Sequence, residues 1–313
     1  MAAYSNTGQL SFSQREYSCE QSFDNGGPFW HLYTDGHKVE VLFEAEEDYK
    51  FIITVFAIAS AFIGVRILSF EVMSNHIHVI LEGLESMCRE FFDMVKTRLA
   101  RYYKSKDRYV KLDGFECKLV PISSLRSLRY EIAYAHRNAY LADRSYTPYS
   151  YPWGTGYLYF NSLAEHKSPI RYSSLTKNEK RAICRGRELQ LPEQYLVAEG
   201  MILPQSFCCI KYGEAMFRDA NQYFSITSKN YEAYSEIARH LGDDIVLNDD
   251  EMFAALSILC KKKYGDVRAN MLPQKDKLDL AIQMRKDYNA SDGQIQRLLR
   301  LDRSVVASLF GKD

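Results

Sequence analysis

The chain has 313 residues, 46% of them hydrophobic, and its 40 Lys and Arg are balanced by 40 Asp and Glu. This composition excludes a disordered, fibrous or mini-protein chain, and zero net charge gives no bulk preference for nucleic acid or membrane. The longest uncharged apolar run, Phe51 to Val65, is 15 residues, short of the roughly 20 that span a bilayer. The amino terminus has no basic start followed by an apolar core, so a cytoplasmic protein with no membrane partner is expected. Seven cysteines are scattered without C-x-x-C spacing, which reads as reduced, packed thiols.

A strand is predicted at Phe29 to Thr34, after the Gly26-Gly27-Pro28 breaker, and a helix from Ala45 to Phe62 with Glu46, Glu47 and Asp48 in its first turn, where the helix dipole favours them. Gly64 ends it. Strands follow at Val65 to Val72 and His76 to Leu81, joined by Met73-Ser74-Asn75. A second helix fits Ser86 to Tyr103, a strand or loop Tyr109 to Val120, and a third helix Ser124 to Leu141 with Ser123 as a cap. The order β-α-β-β-α-β-α predicts an α+β fold, an antiparallel sheet with helices packed on it.

Residues 144 to 160 are crowded with Tyr, Pro and Gly, so a domain boundary is expected at 160. From Leu175 the sequence reads as mostly helical, with pieces near 176 to 185, 211 to 220, 228 to 241, 249 to 264 and 274 to 288. Segments 292 to 299 and 303 to 310 then have the spacing of a helix-turn-helix, with Arg303, Ser304 and Ser308 on the side that a nucleic-acid groove would meet. Residues 161 to 313 are thus expected to form a helical domain ending in a DNA-binding segment.

Charge is unevenly distributed. Residues 1 to 62 carry three basic side chains against nine acidic ones, whereas residues 86 to 145 carry thirteen basic against seven acidic. Lys96, Arg98, Arg101 and Lys104 crowd the second helix, a pattern that suits either a solvated face or a phosphate backbone.

In Asn75-His76-Ile77-His78-Val79-Ile80 the two histidines stand at i and i+2 on a predicted strand, so both rings share one sheet face and can hold a divalent cation between them. In Tyr130-Glu131-Ile132-Ala133-Tyr134-Ala135-His136-Arg137-Asn138, Tyr134 and Asn138 share a helix face one turn apart. A tyrosine nucleophile beside an amide oxygen able to complete a metal site suits phosphoryl transfer to protein. Tyr130 lies on the same stripe as a rival nucleophile.

The segment Ser69 to Leu81 resembles the HUH signature of single-tyrosine transposases, and the best match is the REP-associated tyrosine transposase group. Pro28-Phe29-Trp30-His31, Leu42-Phe43-Glu44, the Tyr134 to Asn138 spacing and Tyr151-Pro152-Trp153 extend the resemblance over residues 28 to 160. Ser74 stands where the signature has Pro, as does Ala139 after Asn138, and the family's nearby Gly is missing. The resemblance implies a ferredoxin-like HUH nuclease domain over residues 1 to 160. Its implied mechanism has Mg²⁺ or Mn²⁺ held by His76, His78 and Asn138, and Tyr134 attacking single-stranded DNA beside a hairpin to form a 5′-phosphotyrosine.

Lys96, Arg98, Arg101, Lys104, Arg137 and Arg303 are the residues expected to contact DNA, in a protein located with the nucleoid. Monomer and homodimer both remain open. Three rival readings are a rolling-circle replication initiator or relaxase, a non-catalytic (domesticated) DNA-binding protein, and, last, a zinc hydrolase.

Overall fold

The computed structural model describes residues 11–39, 41–139, 146–162, 168–186, 189–229, 237–238, 241, 247, 249–265 and 267–311. The chain divides into two compact units, Met1–Thr227 and Ser228–Asp313.

The first unit opens with a helix absent from the sequence reading, α1 (Phe12–Asp24), started by a reciprocal Ser11–Gln14 capping box. Then come β1 (Phe29–Tyr33), α2 (Glu46–Ile63), β2 (Arg66–Val72), β3 (Ile77–Glu82), α3 (Glu85–Ser105), β4 (Lys118–Ile122) and α4 (Leu125–Arg137). The expected α+β fold is what forms: a four-stranded sheet in the order β2-β3-β1-β4, antiparallel at every pairing. The strand anticipated within 109 to 120 forms later, and the helix expected to reach 141 ends at Arg137.

Strand alternation divides the sheet into two faces. Phe70 meets Phe56 of α2, which meets Phe91 of α3, so α2 and α3 cover one side. Ser69 meets His136, and His31 meets Glu131, so α4 covers the other. Gly64, at φ 85°, ends α2 in the left-handed conformation that glycine adopts without strain.

The apolar run in α2 now has its cause. Phe51 to Ser60 are all buried because the helix is covered on both sides. A second, three-stranded sheet, β5 (Ile170–Arg171), β6 (Leu196–Ala198) and β7 (Met201–Ile202), lies beyond it, and the Ile202 amide donates to Thr54 Oγ1 at 3.2 Å. Short strands thus interrupt the region expected to be helical. Its helices are α5 (Lys177–Cys184), α6 (Ile210–Glu214) and α7 (Ala220–Lys229); the last two replace one helix expected over 211 to 220.

The expected boundary at 160 is corrected by the same packing. One hydrophobic core runs from Phe29 through Tyr172, Phe207 and Phe217 to Tyr223, and the division between units falls at 227/228. Residues 161–227 complete the core of the sheet domain instead of starting a new one.

The second unit contains α8 (Asp249–Tyr264), a 3₁₀ turn (Ala269–Met271), α9 (Gln274–Tyr288), α10 (Asp292–Leu299) and α11 (Arg303–Phe310). Ser291 caps α10 in a box with Gln294, and Leu256, Leu280, Met284, Ile295, Leu299 and Val306 form its own core. The helix expected over 228 to 241 falls largely outside the described residues. Among the described residues no helix is long and apolar enough to cross a membrane.

Candidate active site

The turn before β3 is held by backbone groups. Ser74 O accepts from the Leu42 and Phe43 amides at 2.8 Å each, so the serine fixes the turn through its carbonyl where the resembling signature has a proline ring. His76 lies in this turn, just before the strand, and His78 lies within it.

Hydrogen-bond chemistry assigns the tautomer of the first ring. Asn75 Nδ2 donates to Gly36 O at 2.8 Å, which turns Asn75 Oδ1 toward His76 Nδ1, 2.7 Å away. An amide oxygen only accepts, so His76 Nδ1 carries the proton. Desolvation, with His37 adding to it and Asp35 opposing, pushes the His76 pKa down to about 4. The neutral ring therefore keeps its lone pair on Nε2.

His78 is set through a relay. His31 Nδ1 stands 2.8 Å from Glu131 Oε2, and His31 Nε2 stands 3.0 Å from His78 Nδ1. A carboxylate accepts, so His31 Nδ1 donates to Glu131, and His31 Nε2 faces His78 Nδ1; a ring carrying one proton there accepts from His78 Nδ1. Burial first, then His31 and His76, hold the His78 pKa well below the usual histidine range. In that arrangement the His78 lone pair is on Nε2. Outer carboxylate–histidine contacts of this kind orient metal ligands.

Above the two rings sits α4. The Tyr134 ring lies edge-on to His78 and His31, with centroids 5.6 and 6.1 Å away. Tyr130, the rival on the stripe, lies beneath the Arg126 guanidinium at 5.6 Å. Asn138 is the C-cap of α4; its Nδ2 donates to Tyr134 O at 3.1 Å, while its buried Oδ1 has no hydrogen-bond partner among the described residues.

Two imidazole nitrogens are donors that suit a divalent cation, and Asn138 stands one turn along α4 from the Tyr134 that meets His78. The histidine rings are perpendicular, with centroids 5.1 Å apart. Among the described residues no three His, Cys, Asp or Glu side chains form a metal-holding group.

Other expected residues are placed elsewhere. Arg137 is 6% exposed and its Nη1 donates to Thr227 O at 2.8 Å; it ties the end of α4 to the interior and is not set to contact a phosphate. Lys96, Arg98, Arg101 and Lys104 lie on α3, across the sheet from Tyr134, and Arg98 and Arg101 line a cleft with Glu90 and Asp93. The basic run and the histidine cluster are therefore not brought together. Arg303 is exposed at the start of α11 in the second unit. Trp153 stacks on Tyr49 at 4.9 Å, and Tyr151 Oη donates to Val72 O at 2.7 Å, so this motif fastens its loop to β2 and α2.

Three participants escaped the sequence reading. His31 and Glu131 were within quoted motifs, and the spacing of Glu131 three residues before Tyr134 was the available signal. The third is Glu71, the cross-strand partner of His78. It is fully buried, neither oxygen has a hydrogen-bond partner among the described residues, and burial pushes its pKa well above the carboxylate range; the Thr155 amide opposes this but donates to Phe70 O at 3.0 Å. Gly154 makes room for it, since a β-carbon there would stand 1.7 Å from Glu71 Oε2.

No family model, curated protein or solved structure matches the chain.

Proposed function

We propose that the protein is a metal-dependent single-stranded DNA endonuclease and strand transferase of the single-tyrosine HUH type, acting beside hairpins. The observation that carries this reading is the meeting of Tyr134 with His78 at 5.6 Å, beneath a helix whose C-cap supplies the orphaned Asn138 oxygen. The βαββαβ order of β1 to β4, with strand order β2-β3-β1-β4, is that of a ferredoxin-like sheet and supports it.

His76, His78 and Asn138 would hold Mg²⁺ or Mn²⁺, which supplies charge neutralisation at the oxygens of a phosphodiester. Tyr134 Oη attacks phosphorus in line as it gives up its proton, and the bond from phosphorus to the 3′-oxygen breaks. The products are a 5′-phosphotyrosine and a 3′-hydroxyl, which takes up a proton. Because the linkage remains an ester, a second 3′-hydroxyl can reverse the step and join strands without ATP.

The test is incubation of the full chain with Mn²⁺ and labelled single-stranded hairpins, followed by a denaturing gel. A protein-linked band is expected, absent with chelator and in Tyr134→Phe, present in Tyr130→Phe. A band that persists in Tyr134→Phe overturns the assignment of the nucleophile.

A second reading, a DNA-binding protein without catalysis, is favoured by one observation: Tyr134 is only 5% exposed and His78 fully buried, so a phosphate reaches them only if the site opens. Hairpin binding with no adduct under any divalent cation would establish it.

A further inference from the structure

The helix-turn-helix spacing at the end of the sequence has no part in the proposed reaction, and the second unit gives it a three-dimensional form. α10 and α11 have eight residues each, with Arg300, Leu301 and Asp302 between them. Arg300 ends α10 in the left-handed conformation, at φ 51°, and the Leu301 amide donates to Gln296 O at 3.2 Å, so the chain turns at once. Ile295 and Leu299 of α10 and Val306 of α11 are fully buried in one core, and Leu301 and Leu309 pack against it. The inner faces of the two helices are thereby occupied.

What remains is the outer face of α11. Arg303, Ser304 and Ser308 are exposed and Ala307 is half-buried, positions that share one side of a helix. Three of these side chains are short, so the helix backbone can come close to a partner while the Arg303 guanidinium reaches beyond it. Arg300 is exposed in the turn just before, so two cations bracket the N-cap acid Asp302. Elsewhere in the unit, Asp279 and Asp292 are taken up in ion pairs with Lys263 and Arg285. A convex polar helix with cations at its leading end suits an anionic groove, and the major groove of duplex DNA admits one α-helix. A single strand has no groove to receive it, and a lipid surface would call for apolar side chains where Ser304 and Ser308 stand.

We infer that the second unit docks on double-stranded DNA, with α11 in the major groove, Arg303 on a guanine edge and Arg300 on a backbone phosphate. A guanidinium matches guanine O6 and N7 with two parallel hydrogen bonds, whereas the Ser304 and Ser308 hydroxyls donate or accept and set no single base. The Asp302 carboxylate only accepts, so it is repelled by phosphates and suits the amino group of a cytosine. This inference goes beyond the catalytic reading and does not rest on it: the proposed reaction takes a single strand, and this surface takes a duplex.

The experiment is in vitro selection by the immobilised full chain from a double-stranded library with a randomised centre, followed by fluorescence anisotropy of the recovered duplex, and of each of its strands alone, over a series of salt concentrations. The expected result is an enriched motif containing guanine, bound at least about tenfold tighter as a duplex than as either strand. Arg303→Ala should cut the preference for guanine at one position by about tenfold. Arg300→Gln should weaken all duplexes alike and lower the salt slope by about one, and Ser304→Glu/Ser308→Glu should abolish duplex binding. Selection should succeed equally with chelator present; an enriched motif in a protein that forms no covalent adduct supports this inference and counts against the catalytic reading alone. An unenriched pool, single strands bound as tightly as the duplex, or duplex binding undiminished in all three variants while each keeps the parental melting temperature overturns the inference.

Discussion

Glu71 and His78 are direct partners across the β2–β3 ladder, and both are fully buried. Burial drives them in opposite directions, the acid up and the base down, so the pair stands neutral where exposed groups would form an ion pair.

This neutrality makes stability depend on pH with opposing signs. A raised carboxyl withholds stability as pH climbs above its unfolded value of 4.5, because only the unfolded chain ionises there. Histidines with lowered values, at about 4 for His76, well below 6.5 for His78 and about 3 for His136, withhold it as pH falls below 6.5. Three histidines outweigh one glutamate, so urea unfolding should show stability declining from about pH 7 to pH 5. Glu71→Gln removes only the acid's contribution; its gain over the parent should be largest near pH 8 and shrink toward 4.5. A gain that does not vary with pH would contradict a neutral Glu71.

The relay from Glu131 gives a prediction readable without any reaction. Nitrogen chemical shifts should place the His78 proton on Nδ1 in the metal-free protein. Glu131→Gln can donate as well as accept, so it no longer enforces that tautomer, and Mn²⁺ affinity should drop by about 10- to 100-fold. An unchanged His78 tautomer and Mn²⁺ affinity would mean that Glu131 only anchors α4.

The start of α2 rests on Asp48, which accepts from Tyr102 Oη at 2.8 Å, Arg108 Nη1 at 2.7 Å and the Glu44 and Ala45 amides. Burial alone would raise its carboxyl, yet these donors hold it below the usual range. Asp48→Ala leaves the Arg108 charge and two amides without their acceptor and should cost about 3 kcal/mol, or roughly 10 °C in Tm. Asp48→Asn, which keeps an acceptor oxygen, should lose less; equal losses would show that volume and not hydrogen bonding matters.

The continuous core predicts where the chain can be cut. A fragment of residues 1 to 160 loses Phe207, which stacks on Phe70 at 6.1 Å, and Tyr223, which hydrogen-bonds His136 Nδ1 at 2.8 Å. It should aggregate or bind hydrophobic dye, whereas residues 1 to 227 should melt cooperatively. A cooperative 1 to 160 fragment would return the boundary to the sequence expectation.

Local patterns made much of the sheet domain legible. The Phe29, Arg66 and Ile77 strands and the helices over 46–63 and 85–105 follow from alternation, period and glycine punctuation in the chain itself. The short strands around Ile170, Leu196 and Met201 have two or three residues each, too few for any period to register, and exist because α2 needs a cover. In the site, His76 and His78 were visible as a pair and Tyr134 as their helical counterpart. His31 was not, because its approach to His78 depends on strand register across 47 residues, which one-dimensional spacing does not encode. Arg137 faces inward because a helix face is chosen by what packs on it, and Thr227 is 90 residues away.

The segment that carries Gly154 runs alongside β2: the Val72 amide donates to Trp153 O, the Thr155 amide to Phe70 O, and Ile67 O accepts from the Cys209 amide. The outer margin of β2 is thereby capped along its length, and its backbone groups cannot recruit a foreign strand. Growth of the sheet into a larger one, whether through self-association or an invading peptide, is blocked on that side by the chain's own later residues.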